Sequence, residues 1–224
     1  MENKKQITRR QFLITGASIV GASALCMTGA GLSIQEPQID YYSSTGDAPG
    51  SEKKRILVAY ATKAGSTGET AGVIGDIFRE SGCSVDVKRT EDVNDISEYQ
   101  AVILGGAIRA SAWLPEAVEF VQANQQILSK LPVAYFTCSI TVINPDTESV
   151  AQETAAFLAP VFQDVPQVKP MAVAHFAGVL DFDKLPFAYR MIWPLTPGGK
   201  VKQGDYRNWD AIKSWAASMV SVMA

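Results

Sequence analysis

Arg55-Ile56-Leu57-Val58-Ala59-Tyr60, followed at once by Ala61-Thr62-Lys63-Ala64-Gly65-Ser66-Thr67, decides the fold. The first run is short, β-rich and apolar without alternation, the pattern of a strand buried on both faces of a parallel sheet. The second run is a loop of Gly, Ser and Thr. Beyond it, Glu69 to Ser81 places Ala71, Ile74, Ile77 and Phe78 on one helical face, and Gly82 stands where that helix should stop.

The rhythm continues towards the C-terminus. Val85 to Val87, Ala101 to Gly105, Val133 to Cys138 and Met171 to Phe176 read as further strands. Pro115 opens a helix at a position that tolerates proline, with Ala117, Val118 and Val121 on its buried side. Another helix is predicted from about Glu148 to Phe162, and Asn208 can cap a last one over Trp209 to Met223. Five strands alternating with helices predict right-handed crossovers and an α/β, doubly wound parallel sheet.

In such sheets ligands bind at the carboxyl ends of the strands. The loop from Ala61 to Thr67 therefore has two readings. Its hydroxyls, its glycine and the free N–H groups of a helix start can cradle an anion; the same Ser and Thr can also serve only as caps. It lacks the Gly-Lys-Ser/Thr end of a Walker loop and the G-x-G-x-x-G of a dinucleotide fold. Its place favours a phosphomonoester.

Tyr60 to Thr67 resembles the flavodoxin phosphate loop, strand–Thr-x-x-Gly-x-Thr–helix, which wraps the phosphate of FMN. Two further segments are similar to the flavodoxin-like, menaquinone-dependent protoporphyrinogen IX dehydrogenases: Gly105 to Arg109 running into Glu119-Phe120-Val121, and Gly178 to Trp209 with its Gly198-Gly199 pair. The resemblance covers Lys54 to the C-terminus. It implies a flavodoxin-like five-stranded parallel sheet in the order 2-1-3-4-5, FMN as cofactor, and a quinone or other redox partner. It also implies that Thr62, Lys63, Ala64, Gly65, Ser66 and Thr67 hold the FMN phosphate. Gly106, Ala107, Ile108 and Arg109 should line one side of the isoalloxazine, and Thr137, Cys138, Ser139 and Ile140 the other. The family often continues with Tyr-Gly after the arginine, where this chain has Ala110-Ser111. Trp113 offers a substitute stacking face, although a Trp just before a helix more often packs against the scaffold.

The 224 residues carry 20 Lys+Arg against 23 Asp+Glu, and the net charge of −3 becomes more negative once the basic N-terminus is set aside. A nucleic-acid partner is thereby disfavoured. Residues 1–32 read as an export leader: Lys4, Lys5, Arg9 and Arg10 precede an uncharged stretch from Gln11 to Gln35, and Thr8-Arg9-Arg10-Gln11-Phe12-Leu13 resembles a twin-arginine signal. The stretch is also long enough to act as a membrane anchor. The twin-arginine route implies an exported, extracytoplasmic or envelope-associated protein that leaves the cytoplasm folded. Residues 33–53, rich in Ser, Asp, Glu, Pro and Gly, read as a flexible linker, and 54–224 as the folded domain.

Cys83 and Cys138 fall at opposite poles of the expected sheet, about 17 Å apart, beyond the roughly 7 Å Cα limit for a bridge. No Cys/His cluster suggests a metal. His175, inside the fifth strand, reads as a structural histidine. The long connection from Asp181 to Tyr206 is apolar and aromatic, through Phe182, Phe187, Tyr189, Met191 and Trp193. In the family the corresponding stretch is more basic and suited to a membrane surface; a lid over the sheet edge or flavin fits here at least as well. Three functions remain open: protoporphyrinogen oxidation with transfer to quinone, exported electron transfer without a small-molecule substrate, and NAD(P)H-dependent reduction of a flavin or quinone.

Overall fold

The computed structural model describes residues 37–46, 54–143, 147–195 and 199–224, which belong to one compact unit, Pro37–Ala224. The leader expected over 1–32, with its twin-arginine motif, lies outside the described residues.

The chain runs β1 (Ser44–Gly46), β2 (Arg55–Ala61), α1 (Ser66–Glu80), β3 (Ser84–Arg89), β4 (Ala101–Arg109), β5 (Ala112–Trp113), α2 (Pro115–Leu128), β6 (Val133–Ser139), α3 (Thr147–Asp164), β7 (Ala172–Ala177), β8 (Val179–Leu180), α4 (Phe187–Ile192), β9 (Gly204–Asp205) and α5 (Trp209–Met223). The main sheet has seven strands, ordered β1-β3-β2-β4-β6-β7, with β5 paired to β4. This corrects the five-stranded sheet expected from the sequence. Parallel pairing joins β3, β2, β4, β6 and β7; β1 and β5 are added antiparallel. A separate two-stranded sheet joins β8 to β9.

Both faces of β2 are buried, which is why its sequence shows no alternation. Ile56, Val58 and Tyr60 join Ile74 and Phe78 of α1 and Ile212 and Ala216 of α5 in one core cluster. Leu57, Ala59 and Ala61 join Ala117, Phe120 and Val121 of α2 and Leu158 and Val161 of α3 in the other. Each large apolar side chain moved out of water here contributes about 1.5–3 kcal/mol. The caps also follow from local chemistry: Gly82 adopts φ +92° after α1, and the Asn208 carboxamide accepts the Ala211 N–H at 3.0 Å.

The segment expected as a linker is partly built into the body. Ser44–Gly46 pairs with Val85–Val87, Arg79 donates to the Ser44 hydroxyl, and the Ser84 hydroxyl donates to the Gly46 carbonyl. The Tyr42 ring lies over Gly72, where a Cβ would come within 2.9 Å of it, and the Tyr60 hydroxyl donates to the Tyr42 carbonyl. Arg89 stacks on Tyr41 at 4.3 Å. The aromatic pair anchors a chain whose composition otherwise reads as flexible.

Candidate functional site

The site begins where β2 gives way to α1. Thr62, 6% exposed, accepts the Gly65 N–H on its Oγ1 at 3.1 Å, which folds the loop back on itself. Gly65 takes φ +87°, a conformation that favours glycine, and a Cβ there would stand 3.2 Å from Ile39 Cγ2. The Gly65 carbonyl then accepts the Gly68 N–H at 2.9 Å and starts the helix. Helix geometry leaves the N–H groups of Ser66 and Thr67 without intrahelical partners, at the positive end of the α1 dipole. The Thr67 hydroxyl is buried and has no hydrogen-bond partner. These uncommitted donors fit a phosphate monoester.

Lys63 is placed differently from the expectation that it would face the phosphate. Its ammonium pairs with the Glu116 carboxylate on α2. Burial pushes the Glu116 carboxyl up, but the bond from Lys63, the bond from its own backbone N–H and the charges of Lys63 and Arg109 together hold it below its ordinary value. Lys63 therefore fastens the loop to α2, with Ala64 half-buried beside it.

The second expected wall, Gly106 to Arg109, is the outer end of β4 and not a loop. Gly106 is buried, Ala107 and Ile108 are half-buried, and Arg109 is exposed. β4 then turns through Ala110 and Ser111 into β5, pairing Ile108 with Trp113. Trp113 is only 3% exposed, and its ring packs against Tyr135 with centroids 5.1 Å apart. A Cβ on Gly106 would sit 2.1 Å from its Nε1. The expected stacking face is thus turned into the scaffold and is withdrawn as a cofactor contact.

On the third wall, Thr137, Cys138 and Ser139 are buried within β6, and only Ile140 is half-exposed beyond it. Thr137 Oγ1 lies 2.8 Å from His175 Nδ1, and burial pushes the histidine below its ordinary pKa. Cys138 belongs to the core on the α1 side, where burial pushes its thiol up to about 11. Ser139 keeps a buried hydroxyl with no hydrogen-bond partner. Thr137 and Cys138 thus support the strand end from within. Among the described residues, no group of His, Cys, Asp and Glu could hold a metal.

Two contacts had no counterpart in the sequence reading. Arg109 stacks on Tyr189 at 4.1 Å, which ties the end of β4 to α4 in the long insert. Phe187, Met191, Ile192 and Leu195 are exposed along that insert. Arg207, from the turn between β9 and α5, reaches the cradle itself: Nη1 donates to the Ser66 carbonyl at 3.2 Å and to Glu69 at 2.7 Å. Its other nitrogens donate to Asp205, and the guanidinium lies 4.3 Å from the Trp209 ring. The hydrogen bond from Arg207 holds the Asp205 carboxyl below its ordinary value. The residues are 141 positions apart for Ser66, so no local pattern could announce the contact.

Residues 57–202 match the family described as "Flavodoxin domain". The chain belongs to that family, and FMN is its cofactor. A protein of Leishmania major named protoporphyrinogen IX dehydrogenase [quinone] is 25% identical over 183 residues, covering 77% of each chain. The Escherichia coli protein of the same name is 23% identical over 171 residues, covering 72% of this chain and 92% of its own. An archaeal flavodoxin structure, 13% identical, superposes with a TM-score of 0.45 over 75% of this chain and 98% of its own.

Proposed function

We propose that this chain is an FMN-dependent oxidoreductase that withdraws electrons from protoporphyrinogen IX, or a related reduced compound, and delivers them to a quinone. The observation that carries the reading is the Arg109–Tyr189 stack. It brings an insert with exposed apolar side chains beside the end of β4, where an apolar reductant and a quinone would have to approach. The two relatives named as quinone-linked dehydrogenases point the same way. Bound FMN would supply the redox chemistry, taking up electrons as hydride or singly. The chain's own residues bind and orient: Thr62 shapes the loop, Ser66 and Thr67 offer donors to the phosphate, and Ala107, Ile108 and Ile140 border the ring. For each turnover two electrons and two protons leave the reduced compound and appear on the quinone.

Export by the twin-arginine route is part of the proposal and rests on Thr8 to Leu13. That leader also favours a second reading, an exported electron-transfer protein without its own small-molecule substrate, because haem synthesis ordinarily finishes on the cytoplasmic side. The separating experiment supplies the purified, FMN-loaded full chain with protoporphyrinogen and a menaquinone analogue. Porphyrin fluorescence that grows only with quinone present supports the first reading; its absence from an FMN-loaded, folded protein refutes it and leaves the second. Thr62→Ala with Thr67→Ala should weaken FMN binding by at least about tenfold, because the first frees the loop from its tie to the Gly65 N–H and the second removes a hydroxyl donor to the phosphate. Undiminished binding would refute the cradle.

A further inference from the structure

Glu69 poses a problem for the cradle. It stands in the first turn of α1, where a carboxylate is favoured by the helix dipole. A phosphate monoester at the same helix start is drawn by the same dipole, so the two anions compete for it. Asp205 brings a second carboxylate through its bond to the residue that touches the loop. Left to themselves, these groups would repel the dianion the loop is shaped to accept.

Arg207 is placed to remove that conflict. Its side chain is only 7% exposed and pairs with Glu69 at 2.7 Å and Asp205 at 2.6 Å. The same Nη1 that meets Glu69 donates to the Ser66 carbonyl at 3.2 Å, and the Thr70 hydroxyl donates to that carbonyl at 3.3 Å. The guanidinium carbon lies over the Trp209 ring, 4.3 Å from its centroid. Few rotamers satisfy all of these contacts, so the charge is fixed in place.

We infer that Arg207 is a positioning residue of the phosphate site: it neutralises Glu69, orients Ser66 through its carbonyl, and lets a phosphomonoester meet backbone donors in place of an open carboxylate. The inference rests on the cradle reading above and assigns it a charge partner from the far end of the chain. Arg207 touches the loop from behind and needs no contact with the ligand. If it merely fastened the turn before α5, its loss would loosen FMN and riboflavin alike. As a charge partner it discriminates, because riboflavin carries no phosphate.

The test titrates the full chain, stripped of flavin, with FMN and separately with riboflavin at low and high salt. Arg207→Gln should weaken FMN by on the order of tenfold at low salt and leave riboflavin unchanged. Arg207→Gln with Glu69→Gln should recover most of the loss, and Arg207→Lys should lose less than Arg207→Gln. Glu69 is a half-exposed surface residue, so Glu69→Gln alone decides the matter if Arg207→Gln does not fold. It should raise the preference for FMN over riboflavin several-fold; an unchanged preference overturns the inference. Equal loss of both flavins in Arg207→Gln, or no loss, also overturns it while the cradle stands. A parent protein that binds riboflavin as tightly as FMN overturns the cradle and this inference together.

Discussion

Replacing Ser111 by glycine should stabilise the protein. β4 and β5 are joined by a two-residue loop, since Arg109 pairs with Ala112. Ala110 and Ser111 both take positive φ, +50° and +58°. A hairpin of this kind favours Asn-Gly because its central residues need left-handed backbone. An L-residue held there costs roughly 1–2 kcal/mol. Glycine removes that cost but returns roughly 0.5–1 kcal/mol through the greater freedom of the unfolded chain. The net expectation is about 0.5–1 kcal/mol of stabilisation, or about 1–4 °C in Tm for a chain of this size. Reversible thermal melts followed by circular dichroism measure it, with Ser111→Val as control. A β-branched residue is poorly accommodated at positive φ, so the control should melt lower. A Ser111→Gly protein that melts lower than the parent would refute the reasoning, because the backbone would then not be where the strain lies. FMN affinity should hardly change, since the exchange leaves Ala107 and Ile108 in their strand.

Tyr42→Ala removes the ring over Gly72 and should cost about 2 kcal/mol in urea unfolding while opening residues 37–46 to limited proteolysis. No change in either would mean that the segment is a linker after all. His175 should make stability depend on pH: its folded pKa is depressed, so the unfolded chain binds the extra proton. Stability is then complete above the ordinary histidine value of about 6.5 and is lost as pH falls from there towards the folded pKa. Urea midpoints should drop as the pH falls below about 6.5, and His175→Gln should flatten that drop. Cys138, with its thiol pushed up to about 11, should resist iodoacetamide in the folded protein and react once urea unfolds it, as peptide mass spectrometry can follow.

The parallel strands of the sheet and the passage from β2 through its loop into α1 were legible because each is written in local pattern. The insert's aromatic composition was legible too. The far ends of the strands were not. Gly105 read as the strand's last residue and Gly106 as lying beyond it, yet both lie inside β4 and admit neighbouring rings: a Cβ would fall 1.9 Å from Phe136 at the first and 2.1 Å from Trp113 at the second. The same close approach hides Trp113, which single-residue logic could equally assign to a ligand. β1 has only three residues, too few for periodicity to show against a polar background. Arg207 carries no local mark at all, because its partners Ser66 and Glu69 come from the opposite end of the domain.

The cations around the cradle leave little free charge to attract a phosphate. Lys63 is paired with Glu116, and Arg207 with Glu69 and Asp205, in a chain whose net charge is −3. Affinity for the dianion must then come chiefly from the Ser66 and Thr67 N–H groups, the Thr67 hydroxyl and the α1 dipole. Hydrogen bonds at contact distance are screened far less than separated charges, for which the Debye length is about 10 Å at 0.1 M salt. The preference of the parent protein for FMN over riboflavin should therefore fall only modestly when salt is raised tenfold. Titrations of both flavins across that range measure it. A steep loss of the FMN preference would refute this distribution of charge, because it would require Lys63 to leave Glu116 and meet the phosphate as a mobile cation.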